Sequence, residues 1–280
     1  MHLLLAGIVL TATSWAVAWG RIPGLSEFSF FLLWIGYILL INGVSESVFN
    51  TSLLRSMWRT FPRLFAISVP LWWFFESLNK VVKNWHYIFA YPISDIRFII
   101  EASIDFSTVV PAVLSTAFLF RHVLSRWCIV SGRRLVTIRK ANLVLSPLLG
   151  LLSLSLVLLF PREAFPLVWI APILLLEPIT YAAGFPSWLR ELENGDWLLP
   201  VSIMGATMFT GLCWELWNFY SLPKWVYDVP YVGFWHVFEM PILGYLGYLF
   251  FGLFVFSYTT SVLLLTWKQD ILPMFVDELR

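Results

Sequence analysis

Charged residues are scarce in this chain. Only 12% of its 280 residues are Asp, Glu, Lys or Arg, about half the roughly 25% that a soluble domain carries. The formal net charge is +1, which gives no electrostatic reason to expect a nucleic-acid partner. Cysteine is nearly missing: there are two, Cys128 and Cys213, and their spacing matches neither a metal site nor a redox motif. No Gly-rich phosphate loop, G-x-S-x-G elbow or Cys-x-x-Cys occurs. The sequence basis for phosphate-loop, serine-hydrolase and dithiol chemistry is therefore absent. Polar stretches long enough for a soluble domain, about 50 residues or more, are missing too.

The chain is instead filled with apolar residues. They make up 59% of it, and 16 residues are tryptophan. Near-continuous apolar runs cover 3–19, 28–44, 63–79, 97–120, 142–160, 165–183, 198–218 and 232–256, the last continuing to Trp267. A helix needs about 20 such residues to cross the hydrocarbon core. The runs do not alternate as barrel strands must, so they read as helices: an all-α integral membrane protein with about eight transmembrane helices. The first run reads as a retained helix rather than a signal peptide, since only Met1 and His2 precede it and no clean cleavage site comes before Gly20. With eight helices both termini share one side. That side collects Arg55, Arg59, Arg63, Arg121, Arg126, Arg133, Arg134, Arg139, Lys140, Arg190, Lys268 and Arg280, twelve of the 18 basic residues. The positive-inside rule places both termini in the cytoplasm, and the expected home is the cytoplasmic membrane of a prokaryote.

A repeat runs through the chain. Residues 76–87 read ESLNKVVKNWHY and 215–227 read ELWNFYSLPKWVY; each has E-x-x-N, then five or six residues, then W-x-Y. A second glutamate follows in each, Glu101 after Glu76 and Glu239 after Glu215, at offsets between copies of 139 and 138. Upstream, WIGYILL (34–40) matches WIAPILL (169–175), and Ser52-x-x-Arg55 matches Ser187-x-x-Arg190. These matches imply an internal duplication, with four helices in 1–140 and four in 141–280. An even number of helices gives both halves one orientation, related by a pseudo-twofold axis along the membrane normal.

The spacing puts Glu76 with Asn79, and Glu215 with Asn218, on one face near the outer end of a helix. The segments Trp85-His86-Tyr87 and Trp225-Val226-Tyr227 should follow as short outer loops, with Pro92, Pro223 and Pro230 excluding helix there. Glu101 and Glu239 should then open the next helices, with Asp105 one turn below Glu101 and Glu177 deeper on another helix. Arg97 is the one obvious cationic partner at that depth, for Glu101. Carboxyls inside a membrane are costly, and out of water they favour the neutral form. An acidic, tryptophan-lined interior suits three tasks: protonating something apolar, binding a metal or an organic cation, or passing protons. A plainer role is open to the same residues. Glu and Asn at helix ends also satisfy backbone groups and bond between helices, and Trp favours both membrane interfaces. His236 and Glu239 would share a helix face, as metal ligands can. The first half has Phe98 in the place matching His236, so a hydrogen-bonded histidine is expected there and no metal.

The repeated pattern resembles the membrane-embedded, duplicated lycopene cyclase domain of carotenoid biosynthesis. The matching residues are Glu215, Asn218, Trp225-Val226-Tyr227 and Phe238-Glu239-Met240-Pro241, and in the first half Glu76, Asn79, Trp85-His86-Tyr87 and Glu101. That family has proline before paired glutamates, whereas here a single glutamate precedes Pro241. The resemblance implies a redox-neutral isomerase with no cofactor, in which a buried glutamic acid protonates an isoprenoid double bond. Aromatic rings would stabilise the resulting cation, and exclusion of water would protect it. Glu239 and Glu101 stand for the acid, Glu239 ahead because pairing with Arg97 would hold Glu101 ionised. Glu215 and Glu76 would position or take back the proton. Trp225, Trp85 and Trp214 would face the cation, and Asn79, Asn218, Tyr87, Tyr227 and His236 would contribute to the substrate site. The substrate would be a hydrophobic isoprenoid or membrane lipid. The other reading is a non-enzymatic membrane protein: a transporter, a proton or cation pathway, or an accessory subunit. A partner in a membrane complex, or a second copy of the chain, stays open.

Overall fold

Helices make up most of the structure, a computed structural model that describes residues 2–127, 134 and 136–276. In chain order come α1 (His2–Gly20), α2 (Ser26–Phe49), the one-turn α3 (Leu53–Ser56), α4 (Pro62–Val82), β1 (Trp85–Ile88), α5 (Asp95–Phe106) and α6 (Val109–Trp127). Then follow α7 (Lys140–Leu159), α8 (Pro161–Ala164), α9 (Leu167–Ala182), α10 (Trp188–Glu193), α11 (Leu198–Tyr220) and β2 (Lys224–Tyr227). The chain closes with β3 (His236–Val237), β4 (Met240–Pro241), a 3-10 turn at Ile242–Tyr245, α12 (Leu246–Trp267) and α13 (Leu272–Val276). Cys128, Arg133 and Arg280 lie outside the described residues.

Six helical segments among the described residues are long and apolar enough to cross a membrane: α1, α2, α5 with α6, α7, α11, and the 3-10 turn with α12. The other two apolar runs, 63–79 and 165–183, fall in α4 and in the 16-residue α9. Several helices stop where one residue turns left-handed: Asn50 after α2 (φ 59°), Lys83 after α4 (φ 55°) and Lys268 after α12 (φ 54°).

Small residues set how closely the helices approach. A Cβ at Gly7 of α1 would lie 2.3 Å from the backbone of Leu40, and one at Gly36 of α2 would lie 2.6 Å from that of Thr11. These two helices therefore touch backbone to backbone, a contact only small residues allow. The outward faces of α1 and α7 carry exposed Leu5, Ile8, Val144 and Leu148, as suits surfaces bathed in lipid. The buried centre joins α2, α4, α6, α11 and α12 around Trp34, Phe75, Phe118 and Phe251.

Three local expectations are corrected by the structure. The run 97–120 is two helices, with Ser107 and Thr108 between α5 and α6. Ser68 of α4 patches the break, its hydroxyl donating to the Phe106 carbonyl (2.5 Å) and accepting from the Val110 amide (3.1 Å). The Trp-x-Tyr segments are not loops but an antiparallel strand pair, β1 with β2. Their register sets Trp85 opposite Tyr227, His86 opposite Val226 and Tyr87 opposite Trp225. Finally, Glu239 does not open a helix. It sits in the tight turn between β3 and β4, with Phe238 beside it at φ 58°. His236 is in β3, exposed and paired with Pro241, so His236 and Glu239 share no helix face.

Candidate active site

The two E-x-x-N motifs build the same local structure. Asn79 Nδ2 donates to the Trp85 carbonyl (2.8 Å), and Asn79 Oδ1 accepts from the Trp85 amide (3.2 Å). Asn218 does the same to Trp225, at 2.7 and 2.9 Å. Each asparagine thus folds its strand back over the end of its own helix and leaves no amide group for substrate. One turn earlier, each glutamate receives the strand's tyrosine: Tyr87 OH donates to Glu76 Oε1 (2.5 Å), and Tyr227 OH to Glu215 Oε1 (2.6 Å). Burial first, and then the charge of the neighbouring glutamate, raise the pKa of both phenols, which therefore remain donors.

The two copies differ in the third donor. Four residues before Glu76 stands Trp72, whose indole N–H donates to Glu76 Oε1 (3.1 Å), alongside that of Trp85 (3.0 Å). Four residues before Glu215 stands Gly211, where a Cβ would come within 2.6 Å of the Tyr248 ring. Glycine makes room for that ring, and Tyr248 OH donates to Glu215 Oε1 (2.7 Å). The Trp225 indole turns instead to Tyr227 OH (2.8 Å). Glu215 is fully buried, and its Oε2 has no hydrogen-bond partner among the described residues.

Between these motifs lies a cavity of about 110 Å³. Five indoles wall it: Trp72, Trp85, Trp169, Trp214 and Trp225. Trp72 of α4 stacks on Trp214 of α11 with centroids 5.1 Å apart, and Trp225 meets Trp214 edge-on. Tyr87, Tyr227 and Tyr248 add their rings. Three carboxyls line it, Glu27, Glu101 and Asp105, with one amine, Lys224. Helix α5 forms one wall because its pattern has two faces. Phe98, Ala102, Asp105 and Phe106 line the cavity, while Ile96, Ile99, Ile100 and Ile104 are exposed on the opposite side.

Of the residues singled out from the sequence, Glu101, Trp85, Tyr87, Trp214, Trp225 and Tyr227 line this cavity. Glu76, Glu215, Asn79 and Asn218 stand behind its wall and hold it in place. Glu239 and His236 do not line it. Glu239 stands ahead of Glu101 as the expected acid because pairing with Arg97 would hold Glu101 ionised, but Glu239 has a cation of its own: Lys224 Nζ pairs with Glu239 Oε1 and also donates to the Phe219 carbonyl. The Asn218 amide is engaged by the Trp225 backbone. Arg97 binds Glu101 (2.7 Å), as the i,i+4 spacing implied, and also Glu27 of α2 (2.7 Å).

The carboxyl left over is that of Asp105, which has no hydrogen bond or ion pair among the described residues. Its i+4 spacing from Glu101 was visible in the sequence, but its freedom was not. Trp72 could also have been read from its place one turn before Glu76; Trp169 and Tyr248 come from distant helices and had no such signal. Glu177 is a structural pin. Its Oε1 accepts from Ser187 Oγ (2.5 Å) and the Leu189 amide (2.9 Å), and its Oε2 from Ser257 Oγ (2.6 Å). Among the described residues no three His, Cys, Asp or Glu side chains gather where they could hold a metal ion. No family model, curated protein or solved structure matches the chain.

Proposed function

We propose that this protein is a membrane-embedded, redox-neutral acid–base enzyme acting on the end group of a hydrophobic isoprenoid. The observation that carries this is the unpartnered Asp105 carboxyl in a cavity walled by five indoles and three phenols. The resemblance to the lycopene cyclase domain supports the same substrate class. The Asp105 O–H bond breaks as the alkene π pair forms a new C–H bond, leaving a carbocation beside a carboxylate. Surrounding π systems stabilise the cation. Attack by a second double bond and loss of a proton to a carboxylate regenerate a neutral product with no change in oxidation level. Glu215 acts through Tyr227 and Tyr248, which link it to the cavity as a second proton route. Glu76, Glu101 and Glu239 position their surroundings rather than donate.

The architecture supporting this is two parallel four-helix repeats, 1–140 and 141–280, with eight spans and both termini in the cytoplasm. The matching Asn–Trp and Glu–Tyr bonds of the two halves support the duplication, as do the serine caps: Ser52 accepts from the Arg55 amide and bonds Glu46, while Ser187 accepts from the Arg190 amide and bonds Glu177. The basic residues on the terminal side support the orientation, in the cytoplasmic membrane of a prokaryote. A transporter would need an aqueous path between the halves. Around the cavity the rings pack on one another, Trp72 on Trp214 and Phe75 on Phe251 (5.3 Å), which supports the enzyme reading.

Expression in cells that accumulate acyclic isoprenoids, followed by lipid profiling, tests the reading. A new product of unchanged mass is expected. Asp105→Asn should lower its formation by about 10²–10⁴-fold, the usual contribution of a general acid, while Glu239→Gln should retain most activity. An unaltered isoprenoid profile in cells that contain the folded protein would refute the enzyme.

A further inference from the structure

The charges around the cavity do not balance. Arg97 is shared between Glu27 and Glu101, with Tyr91 OH as a third contact. Lys224 is bound to Glu239 and to the Phe219 carbonyl. Both nearby cations are therefore committed, and among the described residues Asp105 has none. A half-buried carboxylate in an apolar surround and without a counter-charge calls for a cationic partner or a proton. A metal ion would require several oxygen or nitrogen ligands around one point, and the described residues offer no such group. A primary ammonium would want three acceptors. The indoles of this wall can only donate, and three are engaged already: the N–H groups of Trp72 and Trp85 bond Glu76, and that of Trp225 bonds Tyr227. What remains is the Asp105 carboxyl, beside Glu27 and Glu101 that Arg97 already neutralises in part, and a surround of π systems. That combination suits a cation whose charge is spread over methyl groups, the kind recognised by aromatic cages. The size agrees, since a cavity of about 110 Å³ is of the same order as the roughly 150 Å³ apolar cavity that takes up benzene.

We propose that this cavity binds a small quaternary or tertiary ammonium group, with Asp105 as its counter-ion and the five indoles as its cage. The inference goes beyond the isoprenoid reading and does not depend on it, because it concerns equilibrium binding and no chemical step.

The test uses the purified full-length chain in maltoside micelles, with tryptophan fluorescence and calorimetry as readouts. The probes are choline and its neutral isostere 3,3-dimethylbutan-1-ol. Choline is expected to saturate and to quench or shift the indole emission. The isostere should bind about tenfold more weakly or worse, since it lacks the charge that the rings and Asp105 recognise. Asp105→Asn, close in size, should weaken the preference for choline, leaving the share due to the rings, with the isostere unchanged. Phosphatidylcholine added to the micelles separates the two sources of such a group: competition with choline assigns the site to a lipid headgroup, and absence of competition to a free ion. Equal binding of the two probes, no binding of choline to the folded wild-type protein, or unchanged choline preference in Asp105→Asn would each overturn the proposal. The wild-type comparison decides alone if the variant does not fold. Failure here leaves the isoprenoid assay to stand or fall by its own product.

Discussion

Asn79 and Asn218 each spend a whole side-chain amide on one tryptophan backbone. Removing it strands a buried N–H and a buried carbonyl at once. Unsatisfied buried groups cost about 1–3 kcal/mol each, so Asn218→Ala should lower the thermal unfolding midpoint in detergent clearly, and Asn79→Ala by a similar amount. An unchanged midpoint for either would mean that water reaches the group. A second residue-scale prediction concerns Arg121, which holds Asp196 through two bonds of 3.0 and 2.5 Å in a nearly buried pair. Arg121→Met should cost roughly 3–5 kcal/mol by leaving Asp196 unpaired, and restoring the pair's neutrality with Asp196→Asn in the same chain should recover much of the loss. The importance of the E-x-x-N motif was legible because it recurs. Its chemistry was not, because the decisive partners are backbone groups folded back from a strand and a tyrosine 33 residues away in sequence. The cation beside Glu239 was hidden for a related reason: Lys224 is 15 residues distant in sequence, and the two meet where β2 lies near the β3–β4 hairpin.

At the scale of elements, α1 is held to α2 by glycines rather than by interlocking side chains. Gly36→Leu should push α1 away and expose the α1–α2 loop to protease in membrane vesicles, while the same change at Gly24, where nothing stands near a new Cβ, adds only the local strain of a positive φ. Helix α5 is one wall of the cavity. Arg97 fastens it to α2 through Glu27, and Ser103 accepts a bond from the Trp73 indole (2.9 Å). Hydrogen exchange should therefore speed up across Asp95–Phe106 in Arg97→Ala, with little change in α6, and uniform exchange across both helices would contradict this. Long helices were readable from uninterrupted apolar runs. The β3–β4 hairpin was not, since 232–245 is as apolar as a helix and hydropathy does not distinguish a short paired strand from a helical turn. The break between α5 and α6 is marked in the sequence only by Ser107-Thr108 and by Pro111 in the first turn of α6; the residue that repairs it, Ser68, lies on another helix.

The whole molecule carries its charged loops and its aromatic ladder at opposite ends under the proposed orientation. A cysteine introduced at exposed His86 in β1 should react with an impermeant maleimide in intact cells, and one at exposed Arg59 should react only after lysis. The reverse pattern would invert the topology. The β1–β2 ladder also says something about history. Its pairs are arranged evenly about His86 and Val226, with Trp opposite Tyr on either side. Two identical strands laid antiparallel would adopt this same register, so a half-length chain already carries its own complement. Under the proposed duplication, the ancestor could have closed this ladder as a homodimer, and fusing two genes would have required no new surface. What fusion adds is the freedom to differ. Tryptophan at 72 against glycine at 211, and aspartate at 105 against Leu243 at the 138-residue offset, are substitutions that a dimer of identical subunits could not make on one side alone. Under that duplication, the lopsided chamber is what fusion makes possible: each half can change without the other.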